Sequence, residues 1–169
     1  MLTNQQNNTD QKLRIAAFHL TEIAKSYQAA IGDDFSVAHY EAFLAQLFGA
    51  YDSFLQEVNQ FFGFELSPTQ VTLNNLSSKS TLVQKPIFDE LTSLVKDPNS
   101  WFGQAKRFRN HTTHVNRVGI TYHVGGPNSG KSMFRDPSTT QTLEQDILSL
   151  LKTWLSEMEQ LISRLRSIM

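Results

Sequence analysis

From residue 106 to residue 117 the chain reads Lys-Arg-Phe-Arg-Asn-His-Thr-Thr-His-Val-Asn-Arg, a dense run of cations and imidazoles. Arg107 and His111 stand four apart, as do Asn110 and His114, so on a helix each pair shares a face. Arg109 lies five before His114, close to that face if the last turn loosens. An arginine, an amide and an imidazole then converge, with no carboxylate near them in sequence. Arginine binds a phosphate bidentately and stabilises the charge that grows on it during transfer. A histidine among fixed cations has its protonated form disfavoured, which suits proton exchange near neutral pH. On RNA the nucleophile is the substrate's own 2′-hydroxyl. Such chemistry needs no metal, no cofactor and no nucleophilic side chain, and it leaves a 2′,3′-cyclic phosphate and a 5′-hydroxyl.

The elements that must hold these groups are legible as apolar periodicity. After Thr9 and Asp10, a candidate cap pair, Leu13, Ala16, Ala17, Leu20, Ala24, Tyr27 and Ile31 recur at helical spacing up to Gly32, with residues 1–8 expected as a flexible tail. Asp33, Asp34 and Ser36 open a longer pattern, Val37, Tyr40, Leu44, Leu47, Tyr51, Phe54, Val58 and Phe61, which ends at Gly63. Phe43, Phe48, Leu55 and Phe62 widen that stripe, so burial on more than one side is expected. Turn formers punctuate residues 66–80. A third helix is predicted from Leu82, Ile87, Leu91, Leu94 and Val95, and a fourth after the cap Ser100, with Trp101, Ala105 and Phe108 apolar. Then the period changes to two: Val118, Ile120, Tyr122 and Val124 read as a strand, residues 125–130 as a glycine-rich loop, and residues 131–134 as its hairpin return. The last helix is predicted to open near Asp136-Pro137, or at Thr142 with Gln145 completing a capping box. The expected architecture is all-α: one domain over residues 1–169, a four- to five-helix bundle with a small β-hairpin before the last helix.

Charge is segregated along this chain. The total is 15 basic against 16 acidic residues, a net of −1. Residues 98–135 contain no Asp or Glu, yet they carry Lys106, Arg107, Arg109, Arg117, Lys131 and Arg135 together with His111, His114 and His123. The remaining nine basic and 16 acidic side chains leave the rest of the molecule at −7. That asymmetry points to an anionic partner bound at one place rather than to a globally basic nucleic-acid binder. The absence of cysteine excludes disulfides, thiolate metal sites and cysteine nucleophiles. A polar N-terminus without an apolar signal core, and no run approaching ~18 apolar residues, lead to the expectation of a cytoplasmic protein with no membrane partner.

The segment Arg109-Asn110-His111-Thr112-Thr113-His114 resembles the R-x4-6-H motif of the HEPN superfamily, including the polar residue that many members place directly after the arginine. A helical bundle with the motif late in the penultimate long helix is similar too. The resemblance implies a metal-independent endoribonuclease whose two motifs meet in a composite active site across a homodimer, in a toxin–antitoxin, phage-defence or CRISPR-linked setting with an antitoxin or defence-system partner. It implies that Arg109 stabilises the phosphate, Asn110 positions it and His114 is the general acid or base. Lys106, Arg107, His111 and Arg117 are then the expected substrate-binding residues, extended by His123 and Lys131 of the hairpin, with Tyr122 beside them. In one toxin branch the motif continues as H-x-Y; here Asn116 occupies the tyrosine position, which removes the acceptor used in that branch's neutralisation.

Blander readings compete. Residues 125–132, Gly-Gly-Pro-Asn-Ser-Gly-Lys-Ser, match the letters of a phosphate-binding Walker A loop, but the mechanism requires a helix directly after the Lys-Ser pair, and Met-Phe-Arg-Asp-Pro follows instead. A hairpin loop is expected. His111 and His114 have metal-ligand spacing without an evident third ligand. His19 and His39 read as isolated structural or surface residues, and the aromatics Phe43, Phe48, Phe54, Phe61 and Phe62 as core or dimer surface. Arg164 and Arg166 complement the last helix's dipole. Against the enzyme stands a non-catalytic helical module that binds RNA or a partner protein through the same basic face.

Overall fold

The computed structural model describes residues 4–29, 33–114, 118–127 and 129–169. Among them lie six α-helices and a short antiparallel sheet: α1 (Asn4–Ala29), α2 (Asp33–Phe62), α3 (Leu73–Lys79), α4 (Lys85–Lys96), α5 (Trp101–His114), β1 (Ile120–Tyr122), β2 (Ser132–Arg135), β3 (Thr142–Asp146) and α6 (Ile147–Ser167). The protein is predominantly α, but it is not a plain four- or five-helix bundle. Two expectations at the ends of helices are corrected. Residues 4–8, expected as tail, are already helical, so Thr9 sits inside α1, where its hydroxyl donates to the Gln5 carbonyl instead of capping. Residues 142–146, expected as helix, form a third strand.

The antiparallel α1–α2 pair is the scaffold. Ser26 meets Ser36 at 2.8 Å, Tyr27 meets Tyr40, and His19 Nδ1 meets His39 Nδ1 at 2.9 Å. The two histidines are therefore partners across a helix interface, not isolated residues. Glycine ends α2: Gly63 at φ +63° lets the Phe64 amide donate to the Asn59 carbonyl and the Gly63 amide donate to the Gln60 carbonyl. This is the left-handed terminus that residues with a Cβ adopt at a cost.

One apolar core joins the helices. Phe43, Phe54, Phe88, Phe102, Phe108, Phe134 and Trp154 are almost completely enclosed, each burial contributing on the order of 2 kcal/mol or more. Of the α2 aromatics expected as core or dimer surface, Phe61 is exposed. Edge-on aromatic contacts tie Phe102 to Phe48 at 5.1 Å and to Tyr51 at 4.9 Å, seating α5 against α2. On its other side Phe108 meets Phe134 of β2 and Trp154 of α6. At the C-terminus Arg166 binds Glu57 of α2 and Asp10 of α1, both at 2.8 Å. Arg164 pairs with Glu90 of α4. These two arginines do more than complement a dipole; they clamp α6 to three other helices.

The expected hairpin forms, with Ile120 opposite Phe134 and Tyr122 opposite Ser132. It is extended because the chain reverses again after β2. Asp136 Oδ1 accepts the amides of Ser138 and Thr139, Thr140 takes φ +60°, and β3 returns with Thr142 opposite Arg135. Asp146 then caps α6 by accepting the Ser149 amide at 3.0 Å. The helix start lies four residues beyond Thr142 because this cap, and not a Thr142–Gln145 box, satisfies the first turn.

Candidate functional site

Helix α5 positions the motif. Ser100 accepts the Gly103 amide at 2.9 Å and starts the helix. Phe102, Ala105 and Phe108 then face the core, which turns Lys106, Arg109, Asn110 and Thr113 outward. Arg109 lies with its guanidinium 5.9 Å from the centroid of the Phe48 ring, and its Nη1 donates to Asn110 Oδ1 at 3.4 Å. The hydroxyls of Thr112 and Thr113 both donate to the Arg109 carbonyl, at 2.9 and 2.8 Å. Both threonines are thus back-bonded onto the helix, which fixes their hydroxyls against the backbone.

Beside this turn runs a groove of about 590 Å³ between α2 and α5. Arg109, Thr112 and Thr113 form one wall. Phe48, Gly49, Ala45, Ala42 and Ala38 form the floor and the other wall, with Glu41 and Asp52 along it. A smaller cleft of about 190 Å³ continues past Arg109 and is lined by Lys106, Tyr51, Phe102 and Val95 as well as Phe48 and Asp52. Arg109 and Asp52 thus border both hollows. The Tyr51 hydroxyl is buried behind the second without a hydrogen-bond partner among the described residues, and burial pushes its acidity well out of the physiological range.

The motif's surroundings are acid-free in sequence but not in space. Asp52, carried by α2, faces Arg109. Its carboxyl is held above the usual carboxylate range by the water it loses against the groove wall, an effect that Arg109 and Lys12 partly oppose. Lys12 reaches this point from α1 by lying across Gly49, where an added Cβ would come within 3.1 Å of its chain. Sequence reading missed Asp52 and Lys12. Asp52 carried one signal: it is the only charged residue between Glu41 and Glu57 of α2.

The other anticipated residues are distributed differently. Arg107 donates to Asp136 at 3.2 Å and to the Pro98 carbonyl, so its charge holds the β2–β3 turn to the start of α5 and does not enter the groove. Burial by itself would raise the Asp136 carboxyl; the Ser138 and Thr139 amides and Arg107 outweigh it and hold the group below the usual range. His111 is half-buried on the Arg107 side of α5. His123 hydrogen-bonds through its backbone to Lys131 and Gly130, and its Nε2 is enclosed without a partner among the described residues. Lys131 acts on Asp146 at the start of α6. None of these four lines the groove. His114 ends α5, and its side chain and Arg117 lie outside the described residues. The glycine-rich loop between β1 and β2 feeds a strand, Ser132–Arg135, and not a helix, so it has no helix N-terminus to hold a phosphate.

A sequence profile for a family of unknown function, DUF6586, matches residues 1–169, the whole chain. The chain belongs to the DUF6586 family. No curated protein and no solved structure matches it. For this DUF6586 member, chemistry must therefore be argued from its own groups. Among the described residues no three His, Asp or Glu side chains gather as a metal site, and no helix is long and apolar enough to cross a membrane. The groove combines a guanidinium with unspent donors, an amide beside it and a carboxylate opposite: a set suited to binding a phosphodiester and moving a proton.

Proposed function

We propose that this DUF6586 protein is a metal-independent endoribonuclease of HEPN type, acting as a homodimer in the cytoplasm and cleaving RNA by attack of the 2′-hydroxyl. The observation that carries the reading is Arg109. Its guanidinium is oriented by Phe48 and Asn110, ion-paired to no carboxylate among the described residues, and placed at the junction of two hollows one helical turn before His114. An arginine in that state is available to a phosphate, and it stabilises the extra charge of a phosphorane-like transition state. Asn110 positions Arg109 or the phosphate. His114 exchanges a proton with the 2′-hydroxyl or the 5′-oxygen. The exposed Lys106 beside the smaller cleft adds phosphate attraction without sequence preference.

Dimerisation is supported by the surface of α2. Its outward stripe is Ala38, Ala42 and Ala45, spaced four and three, and it continues to Gly49 beneath the Lys12 side chain. Small side chains at that spacing allow another helix to approach closely. A second copy seated there brings two motif helices to one cleft. A toxin–antitoxin, phage-defence or CRISPR-linked role belongs to the same reading.

Incubating the purified protein with RNA in EDTA tests it. Cleavage to cyclic-phosphate ends is expected, with about a 10²–10⁴-fold loss in His114→Ala and a comparable loss in Arg109→Ala. Cleavage that requires a divalent metal, or that survives both substitutions, eliminates this mechanism, and RNA bound but left intact leaves a binding module.

A further inference from the structure

We propose that Asp52 is a second catalytic residue of this site, the base that takes the 2′-hydroxyl proton while His114 protonates the leaving oxygen. The inference rests on the ribonuclease reading and extends it by assigning both proton transfers. Geometry carries it. Asp52 is the one carboxylate that borders both the main groove and the smaller cleft, and Arg109 borders both with it. A phosphodiester held by Arg109 therefore lies beside Asp52. The carboxylate makes no hydrogen bond and no ion pair with any described residue, so its lone pairs are uncommitted. By contrast, Asp136 and Asp146 are spent on backbone amides, and Asp10 and Glu57 on Arg166.

The groups around Asp52 come from three helices: Lys12 of α1, Tyr51 of α2, and Lys106 and Arg109 of α5, while Glu41 lines the far end of the same groove, eleven residues earlier on α2. Loss of water against the groove wall raises its proton affinity above the ordinary carboxylate value, and Lys12 and Arg109 oppose that rise. A free carboxylate with elevated affinity for a proton, in a cleft beside a phosphate-binding arginine, is placed for general base catalysis. In the step, the O2′–H bond breaks with its proton passing to Asp52, and O2′ forms a bond to phosphorus. The P–O5′ bond breaks as O5′ takes a proton from the His114 imidazolium. No electrons are exchanged with any other species, and solvent afterwards returns both groups to their starting protonation.

The experiment is single-turnover cleavage of a short RNA oligonucleotide in EDTA across pH, with wild type, Asp52→Asn, Asp52→Glu and His114→Ala. Asp52→Asn is isosteric and the site is exposed, so the fold is kept, as a matching thermal melt would register. Expected for Asp52→Asn is a loss of about 10²–10⁴-fold in rate with oligonucleotide binding unchanged or tighter, and disappearance of the acid limb of the pH–rate profile. Asp52→Glu is expected to recover part of the rate and to retain an acid limb. If Asp52→Asn stays within about threefold of wild type with its acid limb in place, Asp52 is not the base, and the ribonuclease reading stands. If wild type leaves RNA intact, or His114→Ala cleaves as well as wild type, both claims fall together.

Discussion

Asp136 shows how one residue decides where neighbouring charge can act. It accepts two amides of its own turn and holds Arg107, which removes that arginine from the basic face. Its folded acidity is enhanced, so its contribution is complete above the unfolded value near ~3.9 and is lost as pH falls through the lower folded value. Asp146, held low against its own burial by the Ser149 hydrogen bonds and by Lys131, acts in the same direction. Asp136→Asn is expected to cost about 1–2 kcal/mol at neutral pH, because the half-buried Arg107 loses its counter-charge and the turn amides lose a charged acceptor. The loss should shrink as pH is lowered below ~4, where the wild type also surrenders the interaction. Urea titrations at several pH values check this; equal stability of the two proteins at pH 7 would refute it.

At the scale of elements, the angle of α5 is set at its first turn. An added Cβ at Gly103 would lie 2.3 Å from the Asp97 carbonyl oxygen and 2.9 Å from the Pro98 Cα. Glycine to alanine inside a helix normally gains about 1 kcal/mol. Here backbone meets backbone, and Gly103→Ala is expected to lose about 1–3 kcal/mol instead, lowering the melting temperature. A melting temperature at or above wild type would show that the turn yields. The same helix was legible in its sequence from Ser100, Trp101, Ala105 and Phe108. The β3 strand was not, because Thr142 and Gln145 satisfy a capping-box pattern. Only the turn built on Asp136 sends those residues back along β2.

At the scale of the whole molecule, the −1 net charge conceals an uneven distribution along the chain, and the α2 stripe presents small uncharged side chains between Glu41 and Asp52. On the proposed function that stripe seats a second copy, and a stable pair would bury roughly 1,600 Å² in total. Ala45→Arg adds bulk and charge at an exposed position. It is expected to leave the helical signal unchanged, to convert the dimer to a monomer in sedimentation, and to abolish RNA cleavage. A wild type that sediments as a monomer while cleaving RNA would remove the dimer from the mechanism.

Periodicity located the long helices α1, α2, α5 and α6, since apolar spacing is local and a helix satisfies its own backbone, but not the starts of α1 and α6 or the short α3. Composition determined that no thiol chemistry occurs, and local order placed Arg109, Asn110 and His114 on one short stretch. Tertiary structure decided which charges are free. Arg107 and Arg109 are indistinguishable as letters, yet one is locked to Asp136 and the other borders two hollows. It also decided that Asp52, 57 residues earlier than Arg109, stands opposite it. The α2–α5 packing through Phe48, Tyr51 and Phe102 makes that meeting, and no spacing rule along the chain encodes a contact between two helices so far apart.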